Sequence, residues 1–222
     1  GLAHECVRRG RRVGVVAIDP TSPLSGGAVL GDRIRMPMNT NSSSIFFRSL
    51  ASRGQLGGMS RTVRGVVHLL DAFGKDVVIV ETVGAGQSDV AVRMLAHTTA
   101  VVLGPGLGDD IQMLKAGILE SADVYVVNKA DRDGADKTAA ELETMLKVGM
   151  AAAQALGEAP RADRWLPPVV RTVATQGSGV AELVDAFEGH RRHLSETGQW
   201  EALMRRQAEA ELQEALFMQL ES

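Results

Sequence analysis

Cysteine, aromatic residues and net charge are all scarce in this chain. Its 222 residues contain one cysteine, Cys6, and only 4% aromatics. A single thiol can neither close an internal disulfide nor build a cysteine-rich zinc site, so a reducing compartment is expected, the cytoplasm by default. The net charge of −3, from 24 Lys+Arg against 27 Asp+Glu, is small and of the wrong sign for generic nucleic-acid binding. No apolar run approaches the roughly 20 residues that span a bilayer. The opening residues, GLAHECVRR, lack the continuous apolar stretch of a secretory signal. A core poor in Phe, Tyr and Trp must be built from Val, Leu, Ile, Ala and Met, which suits a parallel sheet covered by helices. Glycine, by contrast, is plentiful at 24 of 222, without a collagen period or a low-complexity tract. Loops whose backbone approaches a ligand closely would account for that.

Five short apolar runs recur along the chain: 13–18 (VGVVAI), 77–80 (VVIV), 100–103 (AVVL), 124–127 (VYVV) and 169–173 (VVRTV). Their hydrophobicity is continuous rather than alternating, so both faces should be buried, as in the parallel strands of an α/β sandwich. Helical patterns lie between them. Residues 60–73 place Val63, Val66, Val67, Leu70 and Phe73 on one stripe that stops at Gly74, a left-handed cap. Residues 136–156 carry Leu142, Met145, Leu146 and Met150; residues 178–195 carry Val180, Leu183, Val184 and Phe187. A last stretch, 199–220, sets Trp200, Leu203, Met204, Leu212, Leu216 and Leu220 near one face. That face must be buried against its own body or another subunit. The expected class is α/β, a mostly parallel sheet flanked by helices with a C-terminal helical arm.

Ligands bind beyond the carboxyl ends of parallel strands, so the polar residues there carry the functional argument. Asn128-Lys129-Ala130-Asp131 leaves the fourth run and resembles the base-recognition motif of GTP-binding proteins. In that motif the Asp carboxylate accepts two hydrogen bonds from guanine, Asn supports the purine edge and the Lys stem covers the base; a solvated turn would use the same residue types. Glu81-Thr-Val-Gly84-Ala-Gly86 follows the second run and resembles the Walker-B and second-switch region of P-loop NTPases. There the carboxylate serves Mg²⁺ and the Gly84 amide can meet a γ-phosphate, because no Cβ intervenes. Asp19 leaves the first run before Pro20, and Asp32 returns thirteen residues later in a glycine-rich loop. Two carboxylates on one loop could reach a shared metal or simply form turns.

Taken in order, these segments resemble the G domain of SIMIBI-class P-loop GTPases, and more closely the MeaB/ArgK family, chaperones of adenosylcobalamin-dependent acyl-CoA mutases. The likeness also rests on Gly26-Gly27, Gly31-Asp32-Arg33-x-Arg35-Met36, Arg53-Gly54-x-Leu56-Gly57-Gly58, Gln87-Ser88, Gly108-Asp109-Asp110-Ile111-Gln112-x-x-Lys115-x-Gly117 and Thr172-Val173-Ala174. It covers nearly the whole chain. It implies Mg²⁺ held by Asp19, Asp32 and Glu81, and guanine bound by Asn128, Lys129 and Asp131 with the Ala174 amide near the base. It further implies a γ-phosphate sensor at Gly84, and a third switch over 104–117 in which Gln112 and Lys115 relay nucleotide state to the mutase. GTP and GDP are the implied ligands, and cobalamin enters only through the partner, such as methylmalonyl-CoA mutase.

Residues 1–190 then read as the GTPase domain and 191–222 as a helical dimerisation arm. The family pattern is broken at Val173, where Ser is usual, and by the absence of any Gly-x-x-x-x-Gly-Lys-Ser/Thr string. The second departure leads to the expectation that the chain is N-terminally truncated, lacks its first strand and P-loop, and by itself binds GTP weakly. Two other readings stand beside this one. A metal-delivery SIMIBI GTPase would carry His or Cys clusters, whereas His4, His68 and His97 are scattered and only His190 and His193 lie close. A non-hydrolysing interaction module would follow if no P-loop belongs to the protein.

Overall fold

Val13–Pro20 forms β1, with residues 13 and 15–18 buried by their own apolar side chains. In the computed structural model, residues 1–20, 44–52, 56–82, 94–106, 122–155 and 164–220 are described. They fall into two units, Leu2–Ala96 and a second of His97–Ser222 together with Gly1.

In the first unit, helix α1 (Leu2–Arg8) precedes β1, and β2 (Ile45–Ser52), α2 (Leu56–Ala72) and β3 (Val77–Thr82) follow. The strands form one sheet in the order β2-β1-β3, and both pairings are parallel. Strand β2 is absent from the five apolar runs. Phe46 and Arg48 are exposed between half-buried neighbours, so exposure alternates along this edge strand. Helix α2 lays Val63 and Leu70 over Val16 and Ile18 of β1. It ends one residue before Phe73, which is 79% exposed rather than on the buried stripe, so Leu70 is the last core residue. Gly74 then adopts φ 76°, a conformation a side chain would strain. The Gly74 N–H donates to Asp71 O (2.7 Å) and the Lys75 N–H to Leu70 O (3.0 Å), which satisfies two terminal carbonyls of the helix. Asp76 closes the lower end of the sheet, accepting bonds from the Arg12 backbone N–H (2.8 Å), Nε (3.1 Å) and Nη2 (3.0 Å). Those donors lower its pKa to about 2.

The second unit holds β4 (Ala100–Leu103), β5 (Val124–Asn128), α3 (Ala135–Ala155), β6 (Val169–Thr172), α4 (Val180–Glu196) and α5 (Gln199–Leu220). Its sheet runs β4-β5-β6, again parallel throughout. Central β5 is buried along residues 124–127, whereas Val102 on edge strand β4 is 60% exposed. Helix α3 covers this sheet, placing Ala135, Ala139 and Leu142 on Tyr125 and Val127. Burying a leucine fully, as at Leu142, contributes about 1.5–3 kcal/mol.

At the amino end of β4 and β5, away from the strand ends that carry the motifs, the Thr99 N–H donates to Asp123 Oδ2 (2.7 Å). Trp165 Nε1–H donates to Asp123 O (2.7 Å), and its ring lies 5.0 Å from His190. His190 is buried, bonded at Nδ1 to Thr98 Oγ1 (2.9 Å) and 3.5 Å from Asp123 Oδ1. Burial pushes its pKa down, and this outweighs the pull of Asp123 upward. Among the described residues no helix is long and apolar enough to cross a membrane.

Candidate functional site

The second unit brings together all four residues assigned to the base. Asn128 ends β5 opposite Thr172, the last residue of β6. Its Oδ1 accepts the Thr172 hydroxyl (3.1 Å) and the Ala174 N–H (3.2 Å), so one amide oxygen ties two loops together. The Ala130 N–H returns to Thr172 O at 3.0 Å. Between them Lys129 adopts φ 59°, left-handed for a residue with a Cβ, at a cost of about 1–2 kcal/mol. The Arg132 N–H donates to Lys129 O (3.0 Å), completing the turn into α3. Lys129 and Asp131 are exposed. A short loop thus holds one ammonium stem and one carboxylate outward above a buried strand. An exposed carboxylate on a fixed backbone can accept two parallel N–H donors, the pattern one edge of guanine presents.

Beyond Ala174 the chain turns back on itself. Val173 N–H donates to Ser178 O (2.9 Å), and Gly179 follows at φ 74°. A Cβ on Gly179 would collide with the Arg171 carbonyl oxygen, so only glycine lets α4 start this close to the end of β6.

The residues assigned to metal and phosphate belong to the first unit or to segments outside the description. Glu81, on β3, is exposed and pairs in register with Ala17 of β1. Asp19 lies on the same β1 two residues further on; its side chain is outside the described residues. Asp32, Gly84, Gln112 and Lys115 also lie outside them. The assigned donor set is all carboxylate oxygen, which suits Mg²⁺ rather than a soft ion. Glu81 fits it, being an exposed carboxylate next to the strand that carries Asp19. Among the described residues no group of three His, Cys, Asp or Glu side chains is placed to hold a metal ion.

Thr172 enters the sequence pattern only as the first residue of the Thr172-Val173-Ala174 segment, which gives it no role of its own. Its type is ordinary at a strand end, and only the register of β5 with β6 puts it opposite Asn128. Gly179 belongs to the Gly-Ser-Gly turn at which the helical pattern of 178–195 begins, but its close approach to the Arg171 carbonyl is visible only in the structure. The buried Asp123–His190–Trp165 contact has no signal along the chain, since its members lie far apart in sequence.

A family model described as "Methylmalonyl Co-A mutase-associated GTPase MeaB" matches residues 1–222. A protein of Pyrococcus horikoshii is 46% identical over 211 residues, which cover 95% of this chain and 64% of that protein. GTPase ArgK of Escherichia coli is 34% identical over 205 residues, 91% of this chain and 59% of that protein. The mitochondrial methylmalonic aciduria type A homolog of Mus musculus is 34% identical over 194 residues, 86% of this chain and 45% of that protein. The chain therefore spans less than two thirds of the length of these relatives. Among solved structures, HypB from Helicobacter pylori in complex with nickel matches with a TM-score of 0.51 over 86% of this chain and 80% of that one. At 16% identity this likeness is one of fold alone, parallel sheets flanked by helices.

Proposed function

This chain belongs to the family of methylmalonyl-CoA mutase-associated GTPases of the MeaB type, and from that premise we propose that it is part of a GTP-binding, GTP-hydrolysing chaperone of an adenosylcobalamin-dependent acyl-CoA mutase. The observation that carries the guanine assignment is the tie from Asn128 Oδ1 to Thr172 and Ala174, which fixes the loop presenting Lys129 and Asp131. In this reading Asp131 accepts the N1–H and N2–H groups of guanine, which adenine lacks, and the Lys129 stem lies over the base. With its oxygen engaged in the fold, Asn128 offers its amide NH₂ to the purine.

Asp19, Asp32 and Glu81 are the residues proposed to hold Mg²⁺, which would supply neutralisation of the nucleotide's phosphate charge. The Gly84 amide is assigned to the γ-phosphate, so that hydrolysis releases the second switch. Gln112 and Lys115 would pass that change to the mutase, gating delivery or protection of its cofactor. Cobalamin itself touches only the partner. The working compartment in this reading is the cytoplasm, residues 1–190 form the GTPase domain, and residues 191–222 form a dimerisation arm.

Titration of the full-length protein with GTP, GDP and ATP, with and without the mutase, tests the assignment. Guanine nucleotides should bind and ATP should not. Equal affinity for ATP and GTP would remove the role given to residues 128–131.

A further inference from the structure

We propose that Thr172 is a positioning residue that sets the direction of the base-recognition loop, an inference that rests on the guanine assignment above. Thr172 is 4% exposed and touches the loop through two different groups. Its hydroxyl donates to Asn128 Oδ1 at 3.1 Å. Its carbonyl accepts the Ala130 N–H at 3.0 Å. One buried residue therefore grips the loop on both sides of Lys129, the one described non-glycine residue at positive φ.

A lysine held in that region relaxes unless its flanks are fixed, because the left-handed backbone is unfavourable for any side chain with a Cβ. The flanks here are Asn128 and Ala130, and both are fixed by Thr172. Asp131 comes directly after Ala130, so the aim of its carboxylate depends on the same grip. Loss of the hydroxyl would leave Asn128 Oδ1 with only the Ala174 N–H at 3.2 Å, freeing the amide to turn and the Lys129 backbone to relax. The carbonyl bond survives any side-chain change, so the effect of the hydroxyl can be isolated.

Valine keeps the shape of Thr172 without the donor, and serine keeps the donor without the methyl. In the full-length protein, Thr172→Val should weaken GDP and GTP binding by about three- to tenfold, the span of one neutral hydrogen bond. KM for GTP should rise while kcat holds, and Thr172→Ser should bind as the wild type does. A residue that only fills space would give the opposite order, with serine the weaker binder and valine like wild type. That order, or valine and wild type binding alike while thermal unfolding confirms that both are folded, overturns the proposal. Failure of the wild type to prefer guanine over adenine nucleotides overturns the guanine assignment instead, and this inference with it.

Discussion

Single side chains decide what the loop after β5 presents to solvent. Asp131 is an exposed carboxylate on a loop anchored at Asn128 and Ala130, and in the proposed complex it accepts hydrogen bonds from guanine. Asp131→Asn replaces one acceptor by a donor and should shift preference from guanine to xanthine nucleotides, whose 2-oxo group takes that donor. Competition binding with GDP and xanthosine diphosphate reads the change, and an unaltered ratio would contradict the role. Acid sensitivity is also set by individual residues. Hydrogen bonds from Arg8 and Arg9 hold Glu5 at about 2 against an ordinary 4.5, and those from Arg12 hold Asp76 at about 2 against 3.8. Both pKa values are lower in the folded state, so the stability they supply is complete above about pH 4.5 and fades as pH falls towards 2. Urea unfolding between pH 5 and 2.5 should therefore be less steeply pH-dependent in Arg12→Gln than in the wild type. Because both carboxylates are partly exposed, added salt should shrink that difference.

At the scale of elements, α5 is the helix whose surroundings within this unit do not account for its sequence. Trp200 is half-buried against His97, at a ring distance of 4.8 Å, and Arg191 lies 5.8 Å from the same ring. Further along, Met204, Leu212, Leu216 and Phe217 are 42%, 61%, 51% and 67% exposed. Met204, Leu212 and Leu216 lie on one row at multiples of four residues, continuing the row that starts at Trp200. Leaving such a row in water forgoes the burial its sequence offers. Deleting residues 198–222 should halve the mass measured by light scattering if the arm joins two copies; an unchanged mass would assign the row another role. The strands illustrate how legible elements are from sequence. The apolar runs at 77–80, 100–103 and 124–127 mark β3, β4 and β5, although only the central β5 is buried along its whole run and β4 exposes Val102 at the sheet edge. Strand β2 is less legible, since at this sheet edge Arg48 and Ser49 break the apolar run after Phe47. Helix α2 begins at Leu56, ahead of the expected start at residue 60, and includes Gly57 and Gly58. Its first turn therefore tolerates two glycines that local propensity disfavours.

For the whole molecule, the proposed function is a conversion of nucleotide state into affinity for a second protein. Lys115 is assigned to that relay, so Lys115→Ala should reduce the factor by which the mutase accelerates GTP hydrolysis. Steady-state phosphate release with and without mutase measures the factor, and an unchanged value would take the third switch out of the account. The sequence by itself determined the α/β class, most of the strands, the family resemblance and the contiguous Asn128-Lys129-Ala130-Asp131 string, because apolar runs and contiguous motifs are local properties of a chain. Only the tertiary structure decided that Thr172 grips both sides of Lys129, that Gly179 permits α4 to start against Arg171, and that Asp123 meets His190 beneath Trp165. Those partners lie many residues apart, and strand register and helix packing, which no local pattern encodes, are what bring them within bonding distance.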